Sequence, residues 1–433
     1  MRTTPLSHWR SIATTFDSTI RRAFENIVGF PLSPSAYLQA SITPRLGGFG
    51  LRQVALHADG AFAASRFEVF SAWGSRLCWS SPPEPCPSQQ EASFSLDSSL
   101  LSSLISSAPS PLDRQRLNRV SQSHAGAWVT AVPSSVDGPD TLIRPRAFRV
   151  ACRLRLGIPV WHEGGSCPCC THTLDIFGVH ALCCTTSGDL IARHNRIRDL
   201  VDKIAREGHL GPVLEKKGIL GETSGRRPGD VTIPLWCEGK GLAIDVAVTC
   251  PFSSSNMARD NPAEYYAEKL KHRKYDAGFV GVNFDFSALV FESTGGVNRE
   301  GREVLSQLFR FAARFSGSPF CVYAGRAWAR LSCTLQAAVA QSILNRFPGV
   351  PMEPLGSPSP PPIPSFQLSG SAPPSPNTFS TPVSLAIFEN PADPVDALLA
   401  VWDGKGTGSE SMTFSSLRGS FFSIFSAFFP PGL

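Results

Sequence analysis

Residues 167–184 read CPCCTHTLDIFGVHALCC, and this stretch constrains the fold more than any other. It contains five cysteines and two histidines in eighteen positions. Cys167 and Cys170 form a C-x2-C pair, and His180 and Cys184 form an H-x3-C pair. Four thiolate and imidazole ligands in tetrahedral array suit Zn²⁺. Because four protein ligands leave no open position for water, we expect a structural zinc.

Three further residues in the stretch leave the ligand set open. Cys169, Cys183 and His172 could replace members of the quartet, and a cluster of free cysteines is the non-metal alternative. The N-terminus has no uninterrupted apolar core of a signal peptide, so reduced cysteines and metal ligation are expected rather than disulfides. No stretch reaches the roughly 18 apolar residues of a membrane span, and we expect no membrane partner.

Apolar patterning and Ser/Pro content divide the chain into segments. The middle third alternates helix and strand, with strands DVTIPLW, LAIDVAV and FSALVFE, and with CEGKG as the turn between the first two. We expect Asn195 to cap a helix and Gly278 to end another. The expected segments are a helical region at 1–79, a Ser/Pro-rich linker at 80–112, a helical connector at 113–160, the Cys/His element at 161–190, an α/β domain at 191–347 and a disordered Pro/Ser-rich tail at 348–433.

Basic residues concentrate in that middle third. They occur at 193–199, 225–230 and 268–274, whereas the net charge of the whole chain is only +5. Such clusters indicate contacts to phosphate, with a solvated surface as the alternative. The candidates for nucleic-acid binding in the second and third clusters are Arg226, Arg227, Lys269 and Arg273.

Two aspartates in the expected hairpin suggest a site for chemistry. Asp230 opens the first strand, and Asp245 lies between Ile244 and Val246 in the second. A hairpin brings both carboxylates together, and shared Mg²⁺ would compensate the cost of burying them. A lysine from the next helix, Lys271 or Lys274, could stabilise a phosphate, and Glu215 could add a third carboxylate. Two acids and a lysine at a divalent ion are suited to phosphodiester hydrolysis. The alternatives are a salt bridge for Asp245 and a turn position for Asp230.

The combined motifs resemble the C-terminal part of non-LTR retrotransposon reverse transcriptase polyproteins. The matching segments are CPCC, LDIFGVHALCC, RHNRIRD, RRPGDVTIPLW and LAIDVAVTCPF. Segments on both sides extend the resemblance to about residues 25–347. It implies a CCHC zinc knuckle followed by a restriction-endonuclease-like PD-(D/E)XK core, a mixed sheet flanked by helices. The N-terminal region would then correspond to the segment after the polymerase thumb.

The resemblance implies roles residue by residue. The knuckle falls on Cys167, Cys170, His180 and Cys184, and the Arg-His pair that contacts the backbone or orients the site falls on Arg193 and His194. The PD motif falls on Gly229-Asp230, the second acid on Asp245, and the lysine on Lys271, four residues before Tyr275, with Lys274 as its competitor.

The chain also departs from the family. Gly229 replaces the motif's proline, and Val179 replaces an acidic residue before the knuckle histidine. No [FY]-x-D-D polymerase motif occurs, so no DNA synthesis is expected.

The resulting hypothesis is a truncated retroelement protein that nicks DNA with Mg²⁺. Its expected partners are DNA and, as a second one, the element's RNA, with no small-molecule substrate. A nuclear location is inferred only from the DNA substrate. The alternatives are a nucleic-acid-binding module without catalysis and a non-functional relic.

Overall fold

Helices make up most of the residues that the computed structural model describes, which are 3–73, 85–221 and 225–346. The expected tail at 348–433 and the start of the expected linker, residues 80–84, lie outside the described residues. No helix within the described ranges combines the length and the apolar character needed to cross a membrane. The helices are α1 Arg10–Val28, α2 Pro34–Ser41, α3 Val54–Trp73, α4 Gln89–Ser106, α5 Pro111–Val120, α6 Pro145–Leu156, α7 Val179–Cys183, α8 Asp189–Glu207, α9 Pro262–Tyr265, a π-helical stretch Tyr266–His272, α10 Arg273–Phe279, α11 Arg299–Ser316 and α12 Phe320–Leu344.

A four-stranded mixed sheet, in the order β3-β4-β5-β6, forms the centre of the α/β region. The first two pairs are antiparallel, and β5 runs parallel to β6. A separate antiparallel pair, β1-β2, belongs to the Cys/His element. The mixed α/β class expected from the sequence is therefore confirmed. The strands are β1 Gly165–Ser166, β2 Thr173–Leu174, β3 Val213–Leu214, β4 Val231–Cys237, β5 Lys240–Thr249 and β6 Phe284–Glu292.

The predicted hairpin between β4 and β5 is present, and its turn and a β-bulge in β4 together set its register. Glu238 and Gly239 both have positive φ, 53° and 79°. A two-residue turn with this backbone matches the twist of antiparallel strands. The turn pairs Cys237 with Lys240, and a register shift between Ile233 and Cys237 then places Val231 opposite Ile244. One residue earlier on β4, Asp230 lies next to β5 and donates its N–H to the carbonyl of Ile244.

Strand β5 is the central strand, and helices cover both of its faces. Ile244 and Val246 pack in the large core with α8 and α11. Ala247 packs on the opposite face against Ala267 of the π-helical stretch. Since side chains alternate along a strand, Asp245 shares the face of Ala247 and points toward that stretch.

Two buried arginines of α6 tie the N-terminal helices together. Arg153 and Arg155 are 3% and 4% exposed, and burial lowers the pKa of Arg155 to about 9. Both donate their hydrogen bonds to backbone carbonyls, which satisfies loop groups that have no helical partner. The accepting carbonyls belong to Val28, Gly29 and Val160 for Arg153, and to Pro44, Gly48 and Ala125 for Arg155.

The prediction of a Ser/Pro-rich linker at 80–112 is wrong over most of its length, because helix α4 spans Gln89–Ser106. Ser88 and Glu91 form a reciprocal capping box that starts the helix. Serine hydroxyls inside α4 donate to carbonyls one turn earlier, as Ser98 does to Phe94. The high serine content therefore does not prevent helix formation here, because these hydroxyls find partners within the helix.

Two predicted helix ends also differ. Helix α8 begins at Asp189 after Gly188, so Asn195 lies inside the helix and is not its cap. Gly278 does not end the helix before β6, because α10 continues to Phe279.

Helix α4 is docked through a buried carboxylate. Asp97 is 0% exposed, and its Oδ2 accepts hydrogen bonds from the Thr43 N–H at 3.2 Å and from Arg52 at 3.1 Å. His57 Nε2 lies 3.7 Å from the other oxygen. A buried charge with several donors fixes one position of a helix whose own sequence is only weakly amphipathic.

We expect Asp97→Ala to lower the free energy of unfolding by about 3 kcal/mol, because it leaves buried donors without their acceptor. The matched control is Asp59→Ala, which removes an exposed carboxylate from α3 and should change stability by less than about 0.5 kcal/mol. Urea denaturation of the two variants measures the difference. Equal midpoints would mean that Asp97 does not dock α4.

Candidate functional site

The four predicted zinc ligands converge on one point. Cys170 Sγ lies 3.6 Å from Cys184 Sγ and 3.2 Å from His180 Nε2, and Cys167 Sγ lies 4.0 Å from Cys184 Sγ. All four ligand atoms lie within 4.8 Å of one another. Tetrahedral bonds of about 2.3 Å to zinc separate two sulfurs by about 3.8 Å. The quartet therefore fits a zinc ion with little rearrangement.

Backbone hydrogen bonds shape the two halves of this cluster. Cys167 N–H donates to the carbonyl of His172, which closes the turn between β1 and β2. Asp175 accepts N–H bonds from Phe177, Val179 and His180. Its carboxylate thus caps α7 and sets the helix that carries His180. The acidic residue that the family has at position 179 is absent, and Asp175 supplies a carboxylate at this turn.

Burial opposes ionisation of the Cys167 thiol, but the backbone N–H groups of Cys169 and Cys170 outweigh it. Together with His180, they lower the pKa of Cys167 to about 6. A thiolate is the form of cysteine that binds zinc. The cluster is thus electrostatically suited to a cation.

The three residues that left the ligand set open lie outside the quartet. Cys169 is exposed, and His172 stacks beside the His180 ring at 5.8 Å. Cys183 shares a hydrogen bond with Cys250, which raises the pKa of Cys183. Among the described residues, the metal-binding group comprises the predicted four alone.

A second group of side chains surrounds Asp245. Lys271 Nζ forms a close ion pair with Asp245 Oδ2, and both side chains are largely buried. Asp230 lies on the neighbouring strand, and its Oδ2 accepts the N–H of Val246 at 2.7 Å. Three elements, namely the start of β4, β5 and the π-helical stretch, thus bring two carboxylates and an ammonium group together.

Burial dominates the electrostatics of this group. It raises the pKa of Asp245, with the Lys271 ammonium acting in the opposite direction and the Asp230 carboxylate adding to the rise. For Lys271, burial alone would lower the pKa, but the Asp245 carboxylate outweighs it and raises the pKa. A nearby positive charge favours the ionised form of such a buried carboxylate, so the site is suited to a cation.

The competition between the two predicted lysines is decided by the helix geometry. Lys271 points at Asp245, whereas Lys274 lies over the Tyr275 ring at 4.6 Å. Lys271 also lies 5.8 Å from the centre of the Tyr266 ring, five residues earlier. Residues five apart align along a π-helix rather than an α-helix. Tyr266 was not among the residues predicted for the site, because the usual 3.6-residue periodicity gives no signal for it.

His194 from α8 completes the environment of Asp230. Its Nε2 lies 3.1 Å from Asp230 Oδ2, and its Nδ1 lies 3.1 Å from Asn195 Oδ1. The hydrogen bond to Asp230 raises the pKa of His194 against the effect of burial. The imidazole therefore orients one carboxylate of the pair. Asn195, expected as a helix cap, is instead a partner of this histidine.

The close approach of β5 explains why residue 229 is a glycine. A Cβ at this position would lie 2.9 Å from the Cβ of Ala243 on β5. Any side chain there, including proline, would push β4 away from β5. The glycine therefore permits the close approach that brings Asp230 to Asp245.

Two predicted functional residues are corrected. Glu215 is paired with Arg198 at 2.6 Å and with Arg227, so its carboxylate stabilises basic side chains and is not a third member of the acidic pair. Arg193 is 2% exposed and donates to the carbonyl of Leu182. A guanidinium buried this deeply cannot contact a nucleic-acid backbone, so Arg193 is a core residue. The residues around Arg193 in the sequence did not show whether its side chain points into the core or toward solvent.

The remaining predicted nucleic-acid contacts are exposed. Arg226, Arg227, Lys269 and Arg273 all lie at the surface. Lys269 and Arg273 flank Lys271 on the same helical segment. Exposed basic residues thus precede Asp230 in the chain, and others flank Lys271, the partner of Asp245.

No protein-family model matches this chain, and a search of curated proteins finds no match. The resemblance therefore depends on the motifs and on the contacts that they make.

We expect the wild-type chain to hold one zinc ion and Cys184→Ser to lose it, because three ligands of a structural site do not retain the metal. The matched control is Cys169→Ser, which alters an exposed cysteine beside the ligand Cys170. Metal content after gel filtration measures both. Loss of zinc from Cys169→Ser, or retention by Cys184→Ser, would contradict the ligand set.

Proposed function

We propose that this protein is a Mg²⁺-dependent DNA endonuclease of the PD-(D/E)XK type, derived from the C-terminal part of a non-LTR retrotransposon polyprotein. The observation that carries the proposal is the convergence of Asp230, Asp245 and Lys271 from three separate elements. Two carboxylates beside an ammonium group in a partly buried site suit hydrolysis of a phosphodiester.

The architecture around this group supports the same proposal. Helix α8, the β4–β5 hairpin, the segment 262–279 and β6 follow one another in the chain, and together they build a mixed sheet flanked by helices. This is the arrangement that the family resemblance implies. In a strict D-x-K pattern the lysine would be residue 247, which is Ala247, so Lys271 supplies the ammonium from the neighbouring helical segment instead.

Asp230 and Asp245 would hold the Mg²⁺ ion, since hard cations bind carboxylate oxygens. When bound, the ion would polarise the scissile phosphate and acidify a water molecule. Lys271 would move its charge from Asp245 to the phosphate, where it stabilises the negative charge that develops. His194 keeps Asp230 oriented through its 3.1 Å contact. The histidine is thus a positioning residue.

The zinc cluster has a different role in this proposal. Its four ligands close the coordination shell, so it organises the chain ahead of α8 and leaves the chemistry to the aspartates. DNA is the proposed partner, with the element's RNA as a further one, and the proposed location is the nucleus. The exposed basic residues would contact phosphates, which carry no sequence information.

We expect the wild type to nick supercoiled plasmid with Mg²⁺, and Asp245→Ala and Lys271→Met to nick at least about 100-fold more slowly. The matched control is Lys274→Met, which removes an ammonium three residues away that lies over Tyr275 and should leave the rate unchanged. Gel quantification of nicked circles gives the rates.

Equal nicking by the wild type and Asp245→Ala would contradict the proposed site. A wild type that binds DNA but does not nick it would instead identify a nucleic-acid-binding module without catalysis. The absence of both binding and nicking would identify a relic.

Binding to DNA tests the basic residues separately. We expect the double variant Lys269→Ala/Arg273→Ala to reduce the slope of log affinity against log salt by about 2, since each lost phosphate contact removes about 0.9. The control is Arg310→Ala/Arg314→Ala, an exposed pair at the same spacing on α11. Fluorescence anisotropy across a salt series measures both. An unchanged slope in the first variant would exclude these two residues from the interface.

A further inference from the structure

A cavity of about 260 Å³ lies between the N-terminal helices, the zinc element and the loop after β5. Its walls are mainly apolar and include Leu112 of α5, Ile158 after α6, Phe177 and Leu182 of the zinc element, and Phe252. Ligand pockets in proteins commonly range from about 300 to 1,000 Å³. The size of this cavity therefore suits one heterocyclic ring system rather than a larger molecule.

One buried donor lines this cavity without a hydrogen-bond partner. Arg116 is 8% exposed, and its terminal nitrogen donates to Gln39 Oε1 at 2.8 Å and to the carbonyl of Arg155 at 2.6 Å. The Nε–H of the same side chain has no hydrogen-bond partner. Buried polar groups are almost always hydrogen-bonded, so this donor at the cavity wall has room for an acceptor in the cavity.

A carboxylate lies beside this donor. Asp113 Oδ1 forms an ion pair with Arg116 Nε at 3.7 Å, longer than a hydrogen bond, while Oδ2 accepts the Ser110 hydroxyl at 2.7 Å. Gly157 allows the guanidinium to lie in the wall, because a Cβ there would come within 2.2 Å of Nε. The polar edge of the cavity thus presents the Asp113 carboxylate as an acceptor beside the Arg116 Nε–H as a donor. The apolar part of the wall includes the rings of Phe177 and Phe252.

We infer that this cavity is a binding pocket for a nucleobase, and that guanine fits it best. The guanine edge carries two neighbouring N–H donors, which suit the Asp113 carboxylate, next to the O6 acceptor, which suits Arg116 Nε–H. Aromatic side chains stack on the faces of bases that have left a helix. The base belongs to a free nucleoside or to a nucleotide extruded from a strand, and both present the same edge.

The zinc element contributes directly to this pocket. Phe177 and Leu182 lie between the ligands Cys170 and Cys184 in the chain, so a metal bound there fixes one wall. The pocket requires neither Mg²⁺ nor the acidic pair. Its test is therefore independent of the proposed nuclease activity.

The experiment titrates the zinc-loaded full chain with guanosine, adenosine, cytidine and thymidine by calorimetry, in the absence of Mg²⁺. We expect saturable binding with guanosine at least about tenfold tighter than the others. Leu112→Trp fills the cavity and should abolish binding, whereas Leu142→Trp, at an exposed leucine outside the cavity, should not. Asp113→Asn keeps the shape but presents a donor to the guanine donors, so the preference for guanosine should disappear.

A second arm uses a fluorescent oligothymidylate with or without one central deoxyguanosine. Tighter binding of the guanine-containing strand, lost in Leu112→Trp and kept in Leu142→Trp, identifies the base as part of a strand. Binding of guanosine without this difference identifies a free nucleoside. The inference is overturned if neither probe binds selectively, or if Leu112→Trp binds both as the wild type does.

Discussion

The burial of one carboxylate in the central strand determines how the α/β region is assembled. Asp245 is 6% exposed, and a buried ionised group is stable only beside compensating charge. Lys271 supplies that charge from the π-helical stretch, and Asp230 is brought alongside by the hairpin register. The bulge between Ile233 and Cys237, the absent side chain at Gly229 and the alignment of residues five apart along the π-helical stretch all contribute to this arrangement.

In the N-terminal half of the described chain, buried arginines that bind backbone carbonyls act beside the buried carboxylate of Asp97. Arg153 and Arg155 donate to six carbonyls of loops and helix ends, and Arg116 joins them through Gln39. Burying a guanidinium costs free energy unless its donors are satisfied, so these arginines fix the surrounding backbone closely. Arg116 has one donor left over, at the wall of a cavity. The zinc element packs against this framework and carries the chain into α8, where His194 meets Asp230.

Several features were predictable because they depend on neighbouring residues. The Cys/His spacing predicted the four members of the cluster, with three neighbouring residues left as alternatives. Alternating apolar residues and a Glu-Gly turn predicted the hairpin and the approach of the two aspartates. Others depended on distant partners. Residues 89–106 contain many serines, and α4 depends on the packing of Leu104 against Ile42 and Leu117 and on the docking of Asp97 against Thr43 and Arg52. The basic motif at 193–199 gave no means to separate buried Arg193 from His194 at the site.

The sequence by itself predicted the four members of the Cys/His cluster, the mixed α/β class and the pair of aspartates, since all three depend on local spacing and period. Only the tertiary structure decided between Lys271 and Lys274, because the choice depends on a π-helical turn that no residue pattern announced. Tertiary contacts also paired Glu215 with two arginines and enclosed the cavity beside Arg116. These outcomes depend on contacts between segments that are distant in the chain. The free energy of a buried charge or donor is determined by those contacts and not by the residues next to it in the sequence.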